Sequence, residues 1–378
     1  MNPRLLYVVS EDWAFLSHRL PMARAARAAG FAVHVATRID RCGSKIEAEG
    51  FATHHIPFSR GRISPLATLH TIRSLTQIIA AVRPHVTHHS ALQPSILGSI
   101  AAIGTHSTCL NAINGLGFAF TSETAKARLL RPVLGVAIRL LVNRARARTL
   151  VQNPDDRAAL IRLGVSSGSI ALIPGSGVDV EALTPLPEPD GPLTIGFAGR
   201  LLDDKGVRPL VQAVRSMRAK GANVVLLIAG TPDPANPSSI PLAEIEGWRE
   251  AGAIEWLGQV SDIRDLWRRC HIAALPSRRE GLPKALLEAA ACGRAMIATD
   301  VPGCREVAIE GETGLLVPMD DAGALADAIE RLDKSPGLRR AFAARARVLA
   351  ETRFAETIIE RDIGRLYREM LATTALRD

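Results

Sequence analysis

The chain opens on an apolar run, Leu5–Val9 in "RLLYVVS", with no polar position inside it. An uninterrupted run of this length predicts a strand buried on both faces. "HRLPMARAARAAG" follows with helical spacing and a closing Gly30, and "FAVHVAT" is a second strand. Strand, helix and strand within about thirty residues make a βαβ unit and imply a parallel sheet. The alternation continues through "TLHTIRSLTQIIAAVRP" (helix, ended by Pro84), "HVTHHS" (strand), "SILGSIAAIG" (helix) and "TLVQN" (strand). Periodicity then lapses over residues 174–192, "PGSGVDVEALTPLPEPDGP", whose proline and glycine content reads as an interdomain linker. It restarts with the strand "LTIGFAG" and the helix "VRPLVQAVRSMRAKG". Next come the strands "NVVLLIAG" and "IEWLG", the helix "IRDLWRRC", and the strand "IAALPS". An alanine-rich helix and the strand "AMIATD" complete this stretch. Three helices close the chain, the last of them the long amphipathic "ETIIERDIGRLYREMLATT". The pattern predicts two doubly wound α/β domains facing across a cleft, with ligands at the carboxyl ends of the strands.

Composition narrows this picture. A chain of 378 residues is too long for one ordinary core. With 47% hydrophobic residues, disorder is not the default. The net charge of +8 is spread along the chain and suits anionic small molecules or an anionic membrane surface. It forms no basic tail, and aromatics are only 4%, which argues against nucleic acid. Cys42, Cys109, Cys270, Cys292 and Cys304 are odd in number and form no C-x-x-C pair, so a reducing cytoplasm is expected. The first apolar run is too short for a secretory or membrane-spanning segment. No D-x-D occurs, so no metal and no resident cofactor is expected.

The candidate chemistry lies in two strand-to-helix loops. In "GRLLDDKG", Gly199 lets the backbone leave its strand, and Arg200 and Lys205 offer two cations suited to a diphosphate; a solvated, salt-bridged loop is the plainer alternative. In "LPSRREGLPKALLEAAACG", Glu280 stands on the loop, Pro283 near the helix start, Glu288 in the second turn and Gly293 at the end. The helix N-terminus suits a phosphate, and carboxylates suit vicinal diols because each oxygen accepts a hydrogen bond. The alternative is that Glu280 caps the helix and Glu288 lies on the surface.

"FAGRLLDDKG", "LPSRREGLPKALLEAAACG" and "VPGCREVAIEGETGLLVP", with weaker matches at "VQNPDDRAALIRLG" and "IPGSGVDVEAL", together resemble the retaining glycosyltransferases of family 4. That family has the GT-B fold of two Rossmann-like domains. The resemblance implies that Arg200 and Lys205 contact the donor diphosphate, Glu280 the transferred sugar and Glu288 the ribose. It also implies that the backbone of Gly281, Leu282, Pro283 and Lys284 meets sugar and phosphate. "SEDWAFLSHRLPMA" is similar to the start of members that build bacterial lipid-linked saccharides and polysaccharides, which makes Ser17 and His18 acceptor-side candidates. Glu280 and His18 are then the candidate catalytic residues. Many members carry a histidine where this chain has Asn114, and a glycine pair that its first loop lacks.

The implied division is an acceptor-side domain over 1–170, to which the helix 355–378 returns, and a nucleotide-sugar domain over 171–354. The implied reaction moves a hexose or N-acetylhexosamine, UDP-linked, to a lipid-linked or saccharide acceptor. "KARLLRPVLGVAIRLLVNRARAR", residues 126–148, reads as a basic amphipathic helix able to lie on anionic lipid, or as an ordinary surface helix. A cytoplasmic protein peripheral to the inner membrane face follows. Three other readings compete: a nucleotide-sugar epimerase, a dinucleotide-dependent oxidoreductase (disfavoured because the first β–α turn lacks G-x-G-x-x-G), and a non-catalytic partner subunit.

Overall fold

The computed structural model describes residues 2–58, 64–113, 135–136 and 138–375. The chain divides into two units. Unit 1 comprises Met1–Ser176 and Thr357–Asp378, and unit 2 comprises Gly177–Glu356. The first boundary falls after 170 because the short strand β7 (Ile170–Leu172) pairs with β6 (Ala147–Val151) and so belongs to the unit 1 sheet.

Unit 1 is a seven-stranded parallel sheet in the order β3-β2-β1-β4-β5-β6-β7. Its centre is β1 (Arg4–Glu11) beside β4 (Val86–Ser90), flanked by β2 (Ala32–Arg38), β3 (Ala52–His55) and β5 (Thr108–Ala112). The uninterrupted apolar run of β1 is buried on both faces, as a parallel strand covered by helices requires. One departure from the sequence reading lies directly after it. The strand runs straight into a short helix α1 (Asp12–His18), and α2 (Leu20–Ala28) is a separate helix broken from it at Arg19. Asp12 anchors the start of α1: Oδ2 accepts from the backbone N–H of Asp40, Arg41 and Cys42 at 2.7–3.0 Å, and Oδ1 from Trp13 at 2.7 Å. Burial raises the carboxyl pKa, but those four donors outweigh it and hold it below the ordinary value. Unit 1 also contains the helices α3 (Gly43–Ala48), α4 (Pro65–Val82), α5 (Leu92–Ala101) and α6 (Pro154–Arg162). His88 and His89, adjacent on β4, are both core residues at 0% exposure.

The basic helix expected over 126–148 is described only in part. Residues 126–134 and 137 lie outside the described residues, and helical residues end at 142. Arg148 stands on β6 and Arg144 and Arg146 in the turn before it, because Ala147–Val151 finds a strand partner in β5. Those arginines therefore do not extend an amphipathic helical face.

Unit 2 is a six-stranded parallel sheet in the order β10-β9-β8-β11-β12-β13. Its strands are β8 (Leu193–Ala198), β9 (Val224–Ala229), β10 (Glu255–Gly258), β11 (Ile272–Leu275), β12 (Ala295–Thr299) and β13 (Gly314–Val317). The helix α7 (Val207–Ala219) covers this sheet with Val207, Leu210, Val211, Val214 and Met217, a stripe at helical spacing, and turns Gln212 and Arg215 outward. Each such side chain contributes roughly 2 kcal/mol by leaving water. Also in unit 2 are α8 (Leu242–Glu250), the single turn α9 (Arg264–Trp267), α10 (Lys284–Ala291), α11 (Ala322–Asp333) and α12 (Pro336–Arg353). "IRDLWRRC" yields only that one turn.

The chain crosses twice between the units. Val178 and Ala355 form a parallel bridge, with Val178 N–H donating to the Phe354 carbonyl at 2.8 Å. The last helix, α13 (Glu356–Ala375), then packs Ile359, Ile363, Tyr367 and Met370 into the unit 1 core. Its tie is polar as well: the hydroxyls of Tyr367 and Tyr7 are 2.5 Å apart, and His88 Nδ1 is 2.7 Å from the Tyr367 hydroxyl.

In both sheets the winding reverses at one place, between β1 and β4 in unit 1 and between β8 and β11 in unit 2. Loops leaving the two strands in opposite directions open a crevice there. At the unit 2 reversal, Gly206 has φ +70° and its missing Cβ would lie 1.9 Å from the Pro276 carbonyl oxygen. Gly206→Ala is therefore expected to cost about 3 kcal/mol or more. Denaturant titration of the variant measures it, and an unchanged midpoint would contradict the packing described.

Candidate active site

The loop after β8 and the loop after β11 are latched together before any functional group is considered. The Asp204 carbonyl accepts from the Arg278 N–H at 2.8 Å and from the Ser277 hydroxyl at 3.0 Å. The Asp204 carboxylate holds Arg279 Nη2 at 2.6 Å. Thr299, at the end of β12, donates to the Ser277 carbonyl. Gly303 (φ +81°) closes the far side, since a Cβ there would lie 2.5 Å from the Gly281 carbonyl oxygen.

This framework joins two residues 75 positions apart: Lys205 Nζ is 2.5 Å from Glu280 Oε1. Their side chains are 23% and 10% exposed, so the pair is largely withdrawn from water. Arg200 follows Gly199 out of β8, where the Gly199 N–H donates to the Ala229 carbonyl at 3.0 Å. Arg200 Nη1 lies 2.8 Å from Asp233 Oδ2. Cys304, fully buried beside this cluster, has its thiol pKa pushed up by burial and then by the Glu280 carboxylate.

The helix after this loop begins one residue later than its proline suggests. Pro283 is the N-cap, and Lys284 opens α10. Glu288 is the fifth helical residue, with its carboxylate 4.0 Å from Lys284 Nζ. Its side chain is only 18% exposed. Burial pushes its pKa up to about 7; Lys284 lowers it in part and the carboxylate of Glu356 raises it further. Glu288 is therefore neither a surface residue nor an ordinary carboxylate. Gly281, Leu282 and Lys284 are half-buried around the helix entrance.

The structure thus brings together Arg200, Lys205, Glu280 and the start of α10 at the reversal point of unit 2. Both cations are salt-bridged, as the plainer alternative had it, but the Lys205–Glu280 pair is largely withdrawn from solvent. Asp233, Asp204, Arg279, Thr299 and Glu356 escaped the sequence reading. Asp233 alone carried a signal, since "TPDP" leaves β9 beside the same crevice. In unit 1, Ser17 is half-buried and His18 exposed in the last turn of α1. Asn114 lies outside the described residues.

Chemically, two cations, a helix N-terminus and two carboxylates suit a ligand that combines a diphosphate with diols. Comparison with known proteins bears on this directly. Residues 192–335 match the family model "Glycosyl transferases group 1", and residues 4–153 match "Glycosyl transferase 4-like". The chain is a GT-B glycosyltransferase of the family 4 type. One relative is the N,N'-diacetylbacillosaminyl-diphospho-undecaprenol alpha-1,3-N-acetylgalactosaminyltransferase of Campylobacter jejuni. It is 27% identical over 380 residues, covering 94% of this glycosyltransferase and 98% of the relative. The capsular polysaccharide biosynthesis glycosyltransferase CapM of Staphylococcus aureus is 30% identical over 177 residues, 47% of this chain and 46% of its own. Among solved structures, the sucrose-phosphate synthase from Thermosynechococcus elongatus superposes with a TM-score of 0.82 at 22% identity, over 98% of this chain and 99% of that one. Anabaena HepE in complex with UDP-glucose gives 0.77 at 16% identity, over 97% and 99%. Identities this low speak to the fold. The glycosyltransferase is thus a hexosyl-transferring enzyme, and the relative CapM is named for capsular polysaccharide biosynthesis.

Proposed function

We propose that the enzyme transfers a hexose or N-acetylhexosamine from a UDP-sugar to a lipid-linked or saccharide acceptor, with retention of anomeric configuration and without a metal. The observation that carries this reading is the Lys205–Glu280 pair at the entrance to α10. As the glycosidic bond to the diphosphate lengthens, negative charge grows on the departing phosphate. Lys205 and Arg200 stabilise that charge more than the ground state, which lowers the barrier. Engaging Lys205 frees Glu280 to accept a hydrogen bond from a sugar hydroxyl. The α10 N-terminus takes a further phosphate oxygen, and Glu288 accepts from the ribose diol.

Support for the donor and acceptor classes comes from proteins of this likeness: a structural neighbour holds UDP-glucose, and a full-length relative is named for a diphospho-undecaprenol acceptor. With such an acceptor, the proposed place of work is the inner face of the cytoplasmic membrane, against anionic lipid. Among the described residues no helix is long and apolar enough to cross a membrane. Among them, too, no group of three or more His, Cys, Asp or Glu could hold a metal ion.

The test is product analysis with UDP-sugars and a lipid-diphosphate saccharide in the presence of EDTA. The expected outcome is full turnover in chelator and an α-linked product from an α-linked donor. Loss of turnover restored by Mg²⁺ or Mn²⁺ would refute the metal-free mechanism, and a free epimerised nucleotide sugar as sole product would favour the epimerase.

A further inference from the structure

The winding of unit 1 reverses between β1 and β4, and the donor chemistry above leaves that crevice unused. Arg19 lies in the connection leaving β1, and Ser90 is the last residue of β4. Arg19 Nε donates to Ser90 Oγ at 2.7 Å, and the arginine is 1% exposed. Its other hydrogen-bond partner is the Met22 sulfur at 3.7 Å. Among the described residues no carboxylate pairs with it; its charge is felt by the phenols of Tyr7 and Tyr367, whose own pKa values burial raises. A buried guanidinium facing only neutral groups is unfavourable until a counter-charge arrives.

Two further features belong to the connection that leaves β4 at Ser90. Ala91, directly after Ser90, takes φ +82° and ψ 167° and starts α5 with no side-chain cap. The first turn of a helix has N–H groups with no intrahelical acceptor, and it carries positive dipole charge. In that turn Ser95 is 4% exposed and, among the described residues, its hydroxyl has no hydrogen-bond partner. Ser90 completes the set. Arg19 occupies a lone pair of its oxygen, so the Ser90 hydroxyl proton is left to be donated elsewhere.

We propose that Ser90, Ser95 and the N-terminus of α5, backed by the Arg19 charge, form a phosphate-binding site in unit 1. A phosphate fits better than a carboxylate, because its several oxygens and double charge match two hydroxyls, a helix end and a full cation. Two sources share this chemistry: the diphosphate of the nucleotide and a phosphate-bearing acceptor. Naming either as the source rests on the glycosyl-transfer reading, but the phosphate site itself does not.

The test uses inorganic pyrophosphate and the full chain. Arg200→Ala/Lys205→Ala first removes the unit 2 cations. Calorimetry is expected to find pyrophosphate still bound, and adding Arg19→Met should weaken that residual binding at least tenfold. Ser90→Ala should weaken it less, because the guanidinium remains. In the absence of anion, Arg19→Met should not lower Tm, since methionine removes an uncompensated buried cation. The site would be overturned by no residual binding in the double variant, by binding that Arg19→Met leaves unchanged, or by an Arg19→Met chain that unfolds or melts markedly lower. UDP affinity identifies the source: a fall in Arg19→Met assigns the nucleotide diphosphate, and no change assigns the acceptor phosphate. UDP affinity that is unaltered by Arg200→Ala/Lys205→Ala would instead sink the donor reading, without touching the Arg19 result.

Discussion

Lys205→Ala is expected to lower kcat/KM for a UDP-sugar by about 10²–10³-fold and to destabilise the fold by about 2 kcal/mol. The two effects have different causes, and a second substitution separates them. Removing the ammonium strands Glu280, 10% exposed and 2.5 Å from the lost group, as a mostly buried charge without its counter-ion. Glu280→Gln in the same chain removes that stranded charge, so Lys205→Ala/Glu280→Gln should regain most of the stability. It should not regain turnover, because Arg200 and the α10 N-terminus alone do not replace the lost cation at the departing diphosphate. Thermal denaturation and initial rates on the two single variants and the double variant complete the cycle. Should the double variant recover activity along with stability, Lys205 would be a structural partner of Glu280 and not a contact to the leaving group.

Glu288→Gln is expected to raise stability above pH 7 and to weaken nucleotide binding there. The sign follows from the raised pKa. Below the ordinary carboxyl value of 4.5, Glu288 is protonated folded and unfolded, and the two chains should be alike. Between there and about 7 the unfolded chain loses the proton while the folded chain keeps it, so wild-type stability falls as pH rises. Above that window the accumulated difference is about 3 kcal/mol. Glutamine resembles the protonated form and escapes the loss. The Tm advantage of the variant should therefore grow from pH 5 to pH 8. The ribose contact runs the other way, because only the ionised carboxylate accepts from both hydroxyls. UDP should bind the variant about tenfold more weakly at pH 8, with little difference at pH 5. A 2′,3′-dideoxy analogue removes the diol and corrects for titration of the phosphates. Equal weakening for UDP and the analogue would contradict the ribose assignment.

The site was legible to different depths. "GRLLDDKG" and "REGLPKALLE" display their cations and carboxylates openly, because a cation or a carboxylate keeps its chemistry in any fold. The order of strands and helices could also be read, since burial on two faces and burial on one stripe leave different periodicities. Short-range competition was harder to see. Asp12 shows no partner in the sequence until three amides about thirty positions away are found to converge on it at the start of α1. "NRARAR" continues a helical pattern until β5 offers part of it a strand partner.

By itself the sequence determined the class of fold, the two units and the residue types at the carboxyl ends of the unit 2 strands, because these depend on local pattern and on the chemistry of single side chains. Only the tertiary structure decided that Lys205 is held by Glu280, that Glu288 is buried near a second carboxylate, and that Arg19 is a sealed cation beneath Ser90. Those are facts about charge and distance between residues far apart in the chain. An ion's energy depends on how much water it keeps and which opposite charge it meets, and neither is settled until each sheet is wound and the two connections at its own reversal have met.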